Sequence, residues 1–141
     1  MTRIAIFASG SGSNAENIIR YFSDNKSVKV VLVLSNQSRS GVLIRAQLHN
    51  IPTFIFTKND LNECSKVHDM LKDYNASMIV LAGFLLKIPL YMIEAYPNSI
   101  LNIHPCADSP LVTCCALFPT EFSPLKFFFI EKKLAYMSLI L

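Results

Sequence analysis

Charge is scarce in this chain, and several absences narrow its chemistry. Charged residues make up 16% of the 141 positions and hydrophobic residues 52%. That balance excludes intrinsic disorder and leaves enough apolar surface for a sizeable core. The formal charge is +3, with the basic residues scattered rather than clustered, so no nucleic-acid partner is expected. The four cysteines, at 64, 106, 114 and 115, contain no Cys-x-x-Cys pair. Neither a zinc site nor a secreted disulfide framework is therefore expected. Cys114 and Cys115 are adjacent, which suits neither an ordinary disulfide nor metal ligation. No uncharged apolar run reaches the ~20 residues of a membrane helix. The opening MTRIAIFASG lacks the long apolar core and cleavage site of a secretion signal. These absences predict a soluble, cytoplasmic protein with no membrane partner, no metal and one main domain.

What is present alternates between two periods. RIAIFAS (residues 3–9) is a short apolar run ending at Gly and Ser, and reads as a buried strand. Ala15, Ile18, Ile19 and Phe22 then recur at helical spacing. VKVVLVLS (residues 28–35) is β-branched and nearly continuous, as a strand covered on both faces should be. A short helix is predicted over residues 41–50, a third strand over 51–57 and a helical stripe through Leu61, Cys64, Val67, Leu71 and Tyr74. Cys64 reads there as core. A fourth strand (77–83), a helix (89–96) and a fifth strand (99–104) follow. Strands alternating with helices predict an α/β fold, an open, mostly parallel, doubly wound sheet with ligands at the strands' carboxyl ends.

Residues 106–141 break this pattern. They hold three of the four cysteines and five of the ten phenylalanines but no glycine, and neither period persists. They are set apart as an atypical apolar tail, distinct from a nucleotide-binding domain over residues 1–105. Such a tail would cover an open sheet edge or drive self-association.

ASGSGSNAENI (residues 8–18) joins the first strand to the first helix. Gly10, Gly12 and Ala15 fit the G-x-G-x-x-[G/A] dinucleotide fingerprint. A nicotinamide cofactor also wants a carboxylate at the end of the second strand. LSNQSRS stands there instead, which counts against NAD and leaves NADP open through Arg39 alone. Phosphate binding fits better. Gly12, Ser13 and Asn14 lie at a predicted helix N-terminus, where free N–H groups and the helix dipole favour an anion. A plain strand-to-helix turn with Ser or Asn as N-cap is the bland alternative.

Asn102 and His104 lie two apart on the fifth strand, so both face one side and Ile103 the other. An amide and an imidazole in a buried position are costly unless bonded. An amide stabilises an oxyanion and an imidazole moves a proton near neutral pH. A structural pair that serves the next loop is the alternative. His49 and His68 read as solvated or structural. Arg39 and Arg45 could reach a substrate carboxylate.

Taken together, GSGSN (residues 10–14), VLAGF (80–84) and LNIHP (101–105) resemble the phosphoribosylglycinamide formyltransferase family of purine biosynthesis. The resemblance covers residues 1–105 and implies a Rossmann-like fold. It implies formyl transfer from 10-formyltetrahydrofolate, as co-substrate, to the amine of glycinamide ribonucleotide. By the same resemblance Gly12, Ser13 and Asn14 hold the substrate phosphate. Leu85, Leu86, Lys87 and Ile88 line the folate pocket, largely through backbone. Asn102, also a folate contact, polarises the formyl oxygen, and His104 donates a proton.

The family continues the His-Pro segment with SLLP and a glycine-rich loop, where this chain reads CADSPLVTCC. The family's later Asp has no counterpart, because Asp108 is the last Asp here and lies four residues from His104. The expectation is a truncated or aberrant C-terminal part and impaired transfer, with a catalytically inactive phosphate- or nucleotide-binding module as the alternative. An out-of-frame continuation would account for the change of composition, and the other two reading frames of the DNA test that.

Overall fold

The computed structural model describes residues 1–63 and 66–103. Five strands form one sheet: β1 (Thr2–Phe7), β2 (Val28–Ser35), β3 (Thr53–Ile55), β4 (Met78–Ala82) and β5 (Ile100–Ile103). Their order is β3-β2-β1-β4-β5 and every pairing is parallel. Five helices connect them: α1 (Ser13–Phe22), α2 (Gly41–Leu48), α3 (Lys58–Asn62), α4 (Lys66–Asp73) and α5 (Leu90–Ala95).

The strands are apolar on both sides because both faces are covered. Ile4, Ile6, Ala8, Val80, Ala82 and Leu101 pack against Ala15, Ile18 and Ile19 of α1 and Val42, Leu43 and Ala46 of α2. Ala5, Phe7, Ile79, Leu81 and Ile100 point the other way, onto Leu61, Val67, Leu71 and Met92 from α3, α4 and α5. Each large side chain so buried contributes about 1.5–3 kcal/mol. Winding runs outward from β1 to β3, then returns to β4 beside β1 and runs outward to β5. The order therefore reverses between β1 and β4, where an open α/β sheet leaves a crevice above its carboxyl ends.

With four glycines in the chain, asparagine closes two of the helices and forms the turn after a third. Asn50, Asn75 and Asn98 follow α2, α4 and α5 at φ of 56°, 49° and 58°. Asparagine is among the few residues that visit this left-handed region readily. The Ile51 and Ala76 N–H groups then reach back to the Ala46 and Leu71 carbonyls at 2.9 Å, which fixes the entry into the following segment.

Three expectations change in detail. The third strand spans three residues rather than seven. The stripe from Leu61 to Tyr74 divides into α3 and α4, and Cys64 lies outside the described residues. The N-cap of α1 is Gly12, not Ser or Asn, and among the described residues no side chain forms a capping hydrogen bond at that end. His104 and the tail, with Cys106, Asp108, Cys114 and Cys115, also lie outside the described residues. Among the described residues no helix is long and apolar enough to cross a membrane.

Candidate functional site

At the strands' carboxyl ends the described rim is built from the segments that follow β1 and β4 and from the end of β5 itself. After β1 the chain turns at Gly12, whose φ is +80°. A Cβ at Gly12 would lie 2.5 Å from the Cα of Val42, so any side chain there would collide with α2's backbone. The first helical bond of α1 runs from the Glu16 N–H to the Gly12 carbonyl at 2.8 Å. The N–H groups of Ser13, Asn14 and Ala15 precede it and have no intrahelical acceptor. Ser13 is exposed and Asn14 half-buried. This is an anion-ready helix start, with dipole, free N–H groups and two polar side chains.

Beneath that loop, α1 and α2 are tied by charge. Arg45 Nη1 pairs with Glu16 Oε2, and His49 Nε2 lies 3.4 Å from Glu16 Oε1. The hydrogen bond from Arg45, then that of His49, holds the Glu16 carboxyl below its ordinary range. Arg45 Nε also donates to the Ser11 carbonyl at 3.0 Å. Arg45 is thus occupied within the fold, and His49 has a structural partner. Arg39 is exposed on the loop after β2.

The segment after β4 lies beside the β1 loop because Ser9 joins them. The Ser9 N–H donates to the Gly83 carbonyl at 3.2 Å, and its hydroxyl accepts from the Leu85 N–H at 3.1 Å. The same hydroxyl donates to Asn36 Oδ1 at 2.6 Å. One buried side chain therefore fixes the ends of β1, β2 and β4 together. Under this segment Phe7, Phe56 and Phe84 form a cluster, with ring centroids 5.4 to 6.0 Å apart. Ile88 is buried and Leu86 half-buried against that same face, while Leu85 (81% exposed) and Lys87 stand outside.

Asn102 completes the described rim. It pairs in register with Leu81, which pairs with Phe7 of β1. Two strand spacings therefore separate Asn102 from Phe7, about 10 Å. Ile103 packs toward α1 and α2, so alternation puts Asn102 on the side of Leu86 and Ile88. The structure thus brings Gly12, Ser13, Asn14, the 85–88 segment and Asn102 to one edge of the sheet. Among the described residues no group of His, Cys, Asp or Glu is placed to hold a metal ion.

Sequence reading missed Ser9, Asn36 and Glu16 as organisers of this rim. Ser9 left one signal, a buried polar residue closing an apolar run. Asn36 occupies the position where a nicotinamide site carries its carboxylate, and it faces Ser9 instead.

A doubly wound parallel sheet, with a glycine turn feeding its first helix beside the point of strand reversal, is a Rossmann-like α/β fold. The sequence model described as Formyl transferase matches residues 2–107. The chain belongs to that formyl transferase family. It is 36% identical over 109 residues to the chloroplastic phosphoribosylglycinamide formyltransferase of Arabidopsis thaliana, covering 73% of this chain and 37% of that protein. It is 33% identical over 110 residues to the phosphoribosylglycinamide formyltransferase of Bacillus subtilis, covering 74% of this chain and 56% of that one. The crystal structure of phosphoribosylglycinamide formyltransferase from Anaplasma phagocytophilum superposes with a TM-score of 0.69 at 31% identity, over 77% of this chain and 52% of that one. The chain therefore spans between about a third and a little over half of these relatives' length.

Proposed function

We propose that this chain binds glycinamide ribonucleotide and 10-formyltetrahydrofolate in the rim crevice. It transfers the formyl group to the ribonucleotide's amine, a step of purine biosynthesis, at a reduced rate. The relatives' shared name supports the reaction class. The observation that carries the reading is the Ser9 tie, which sets the anion-ready loop and the 83–88 segment side by side.

In this reading the phosphate sits against Gly12, Ser13 and Asn14. The Leu85 N–H is already engaged by Ser9. Backbone groups of Leu86, Lys87 and Ile88 therefore meet the folate's pterin ring, over the aromatic cluster. The amine nitrogen attacks the formyl carbon and a new C–N bond forms. Negative charge gathers on the formyl oxygen, where the Asn102 amide donates a hydrogen bond. The bond to the folate N10 then breaks, and the proton lost by the amine is returned to N10 through His104. The reduced rate rests on the run after Pro105, which reads CADSPLVTCC where the family has SLLP and a glycine-rich loop.

A transfer assay on the full chain with both substrates tests this. Asn102→Ala lowers turnover by about 10²- to 10³-fold, the scale of one oxyanion donor. His104→Ala abolishes what activity there is. Turnover at the family's ordinary rate contradicts the impairment, and failure to bind either substrate contradicts the whole reading. The replacement of the family's SLLP continuation by CADSPLVTCC favours a second reading, a module that binds the ribonucleotide without catalysis. Titration separates the two, since that module binds the ribonucleotide and not the folate.

A further inference from the structure

The β1–α1 loop faces α2 with its carbonyls. The Gly10 carbonyl accepts from the Val42 N–H at 3.3 Å, and the Ser11 carbonyl accepts from Arg45 Nε at 3.0 Å. Both donors belong to α2. Gly41 makes the approach possible, since a Cβ there would lie 2.9 Å from the Ser11 carbonyl oxygen. In a planar trans peptide the C=O and the following N–H point in opposite directions. Holding the Gly10 and Ser11 carbonyls against α2 therefore turns the Ser11 and Gly12 N–H groups away from it. Successive N–H groups directed to one side make an anion-binding concavity. The peptide before a glycine at positive φ is the one that flips most easily, because glycine accepts either orientation.

We propose that Arg45 is a positioning residue for substrate phosphate: its bond to the Ser11 carbonyl locks the Ser11–Gly12 peptide so that the Gly12 N–H joins those of Ser13 and Asn14 as an anion donor. The inference deepens the formyl-transfer reading and rests on it for the identity of the ligand. It also gives the Arg45–Glu16 pair a purpose, since the carboxylate anchors the guanidinium from which Nε reaches the loop.

Two substitutions isolate the bond. Arg45→Gln places an amide nitrogen where Nε stood, whereas Arg45→Met places a methyl group there. Both keep the stem and both remove the charge opposite Glu16, so they differ mainly in the donor to Ser11. In calorimetric titration of the full chain, Arg45→Met binds glycinamide ribonucleotide about tenfold more weakly than Arg45→Gln, the scale of one hydrogen bond to a charged group. Their affinities for the dephosphorylated nucleoside are equal. Equal ribonucleotide affinities, or an equal loss for the nucleoside, overturn the inference. A measurement without ligand separates this from the functional reading. Residual dipolar couplings report the direction of the Gly12 N–H, which reorients in Arg45→Met and keeps its native direction in Arg45→Gln. An unchanged direction in both refutes the role of Arg45 whatever the chain binds, while absent ribonucleotide binding in the native chain refutes only the proposed function.

Discussion

Gly12 and Gly10 sit two residues apart in the same loop and carry different burdens. Gly12 adopts φ +80° against the backbone of Val42, whereas Gly10 has open space where a Cβ would stand. A left-handed conformation alone costs an L-residue ~1–2 kcal/mol, before any clash. Gly12→Ala therefore lowers the unfolding free energy by at least ~1 kcal/mol in urea titration and weakens ribonucleotide binding. Gly10→Ala changes stability by less than ~0.5 kcal/mol. The motif showed that glycine mattered in this loop but not which one, because the demand comes from Val42, thirty positions away. The same holds for the other residues of the rim. Ser9 meets Asn36 and Leu85, and Arg45 meets Ser11 and Glu16, across separations of 27 to 76 residues. Periodicity reports local structure and carries no record of such pairs. Asn102 drew attention in the sequence because an amide in an otherwise apolar strand needs a reason.

At the scale of elements, continuous apolar runs read well and boundaries set by side-chain caps read poorly. The second strand occupies the span expected of it, since all its residues from Val30 to Ser35 are buried. The stripe from Leu61 to Tyr74 passed for one helix because α3 and α4 bury Leu61, Val67 and Leu71 into the same cluster, keeping phase across the break. What starts α3 is a capping box. The Thr57 hydroxyl accepts from the Asp60 N–H at 3.2 Å, and the Asp60 carboxylate accepts from the Thr57 N–H at 2.8 Å. Lys66 of α4 reaches the same carboxylate at 2.7 Å. The Lys66 hydrogen bond, followed by those from Thr57, lowers the Asp60 pKa from 3.8 to about 2. A depressed carboxyl pKa stabilises the folded state above the unfolded value, and that stability is lost as pH falls through the folded value. Between about pH 3.8 and about pH 2, the native chain thus loses stability more steeply than Asp60→Asn does. Chemical denaturation across that interval measures the difference, and parallel slopes contradict the cap.

For the whole molecule, strand order decides what the motifs mean. Three short segments that are far apart in the chain become neighbours because β1, β4 and β5 are adjacent and parallel. Alternation of strands and helices foretold a parallel sheet, but the order of its strands came from the structure. That order puts α1 and the loop that feeds it toward one face, and Leu86, Ile88 and Asn102 toward the other. A ligand held at both places would lie across the carboxyl edge, over the ends of β1 and β4. The most direct test is amide mapping by NMR on the full 15.8 kDa chain, titrated with glycinamide ribonucleotide and with a stable folate analogue. The ribonucleotide should shift the amides of residues 11–15, the folate analogue those of residues 85–88, and both should move the Asn102 side chain. Shifts confined to the amino ends of the strands, or ligand effects that never meet at Asn102, would contradict a single shared crevice.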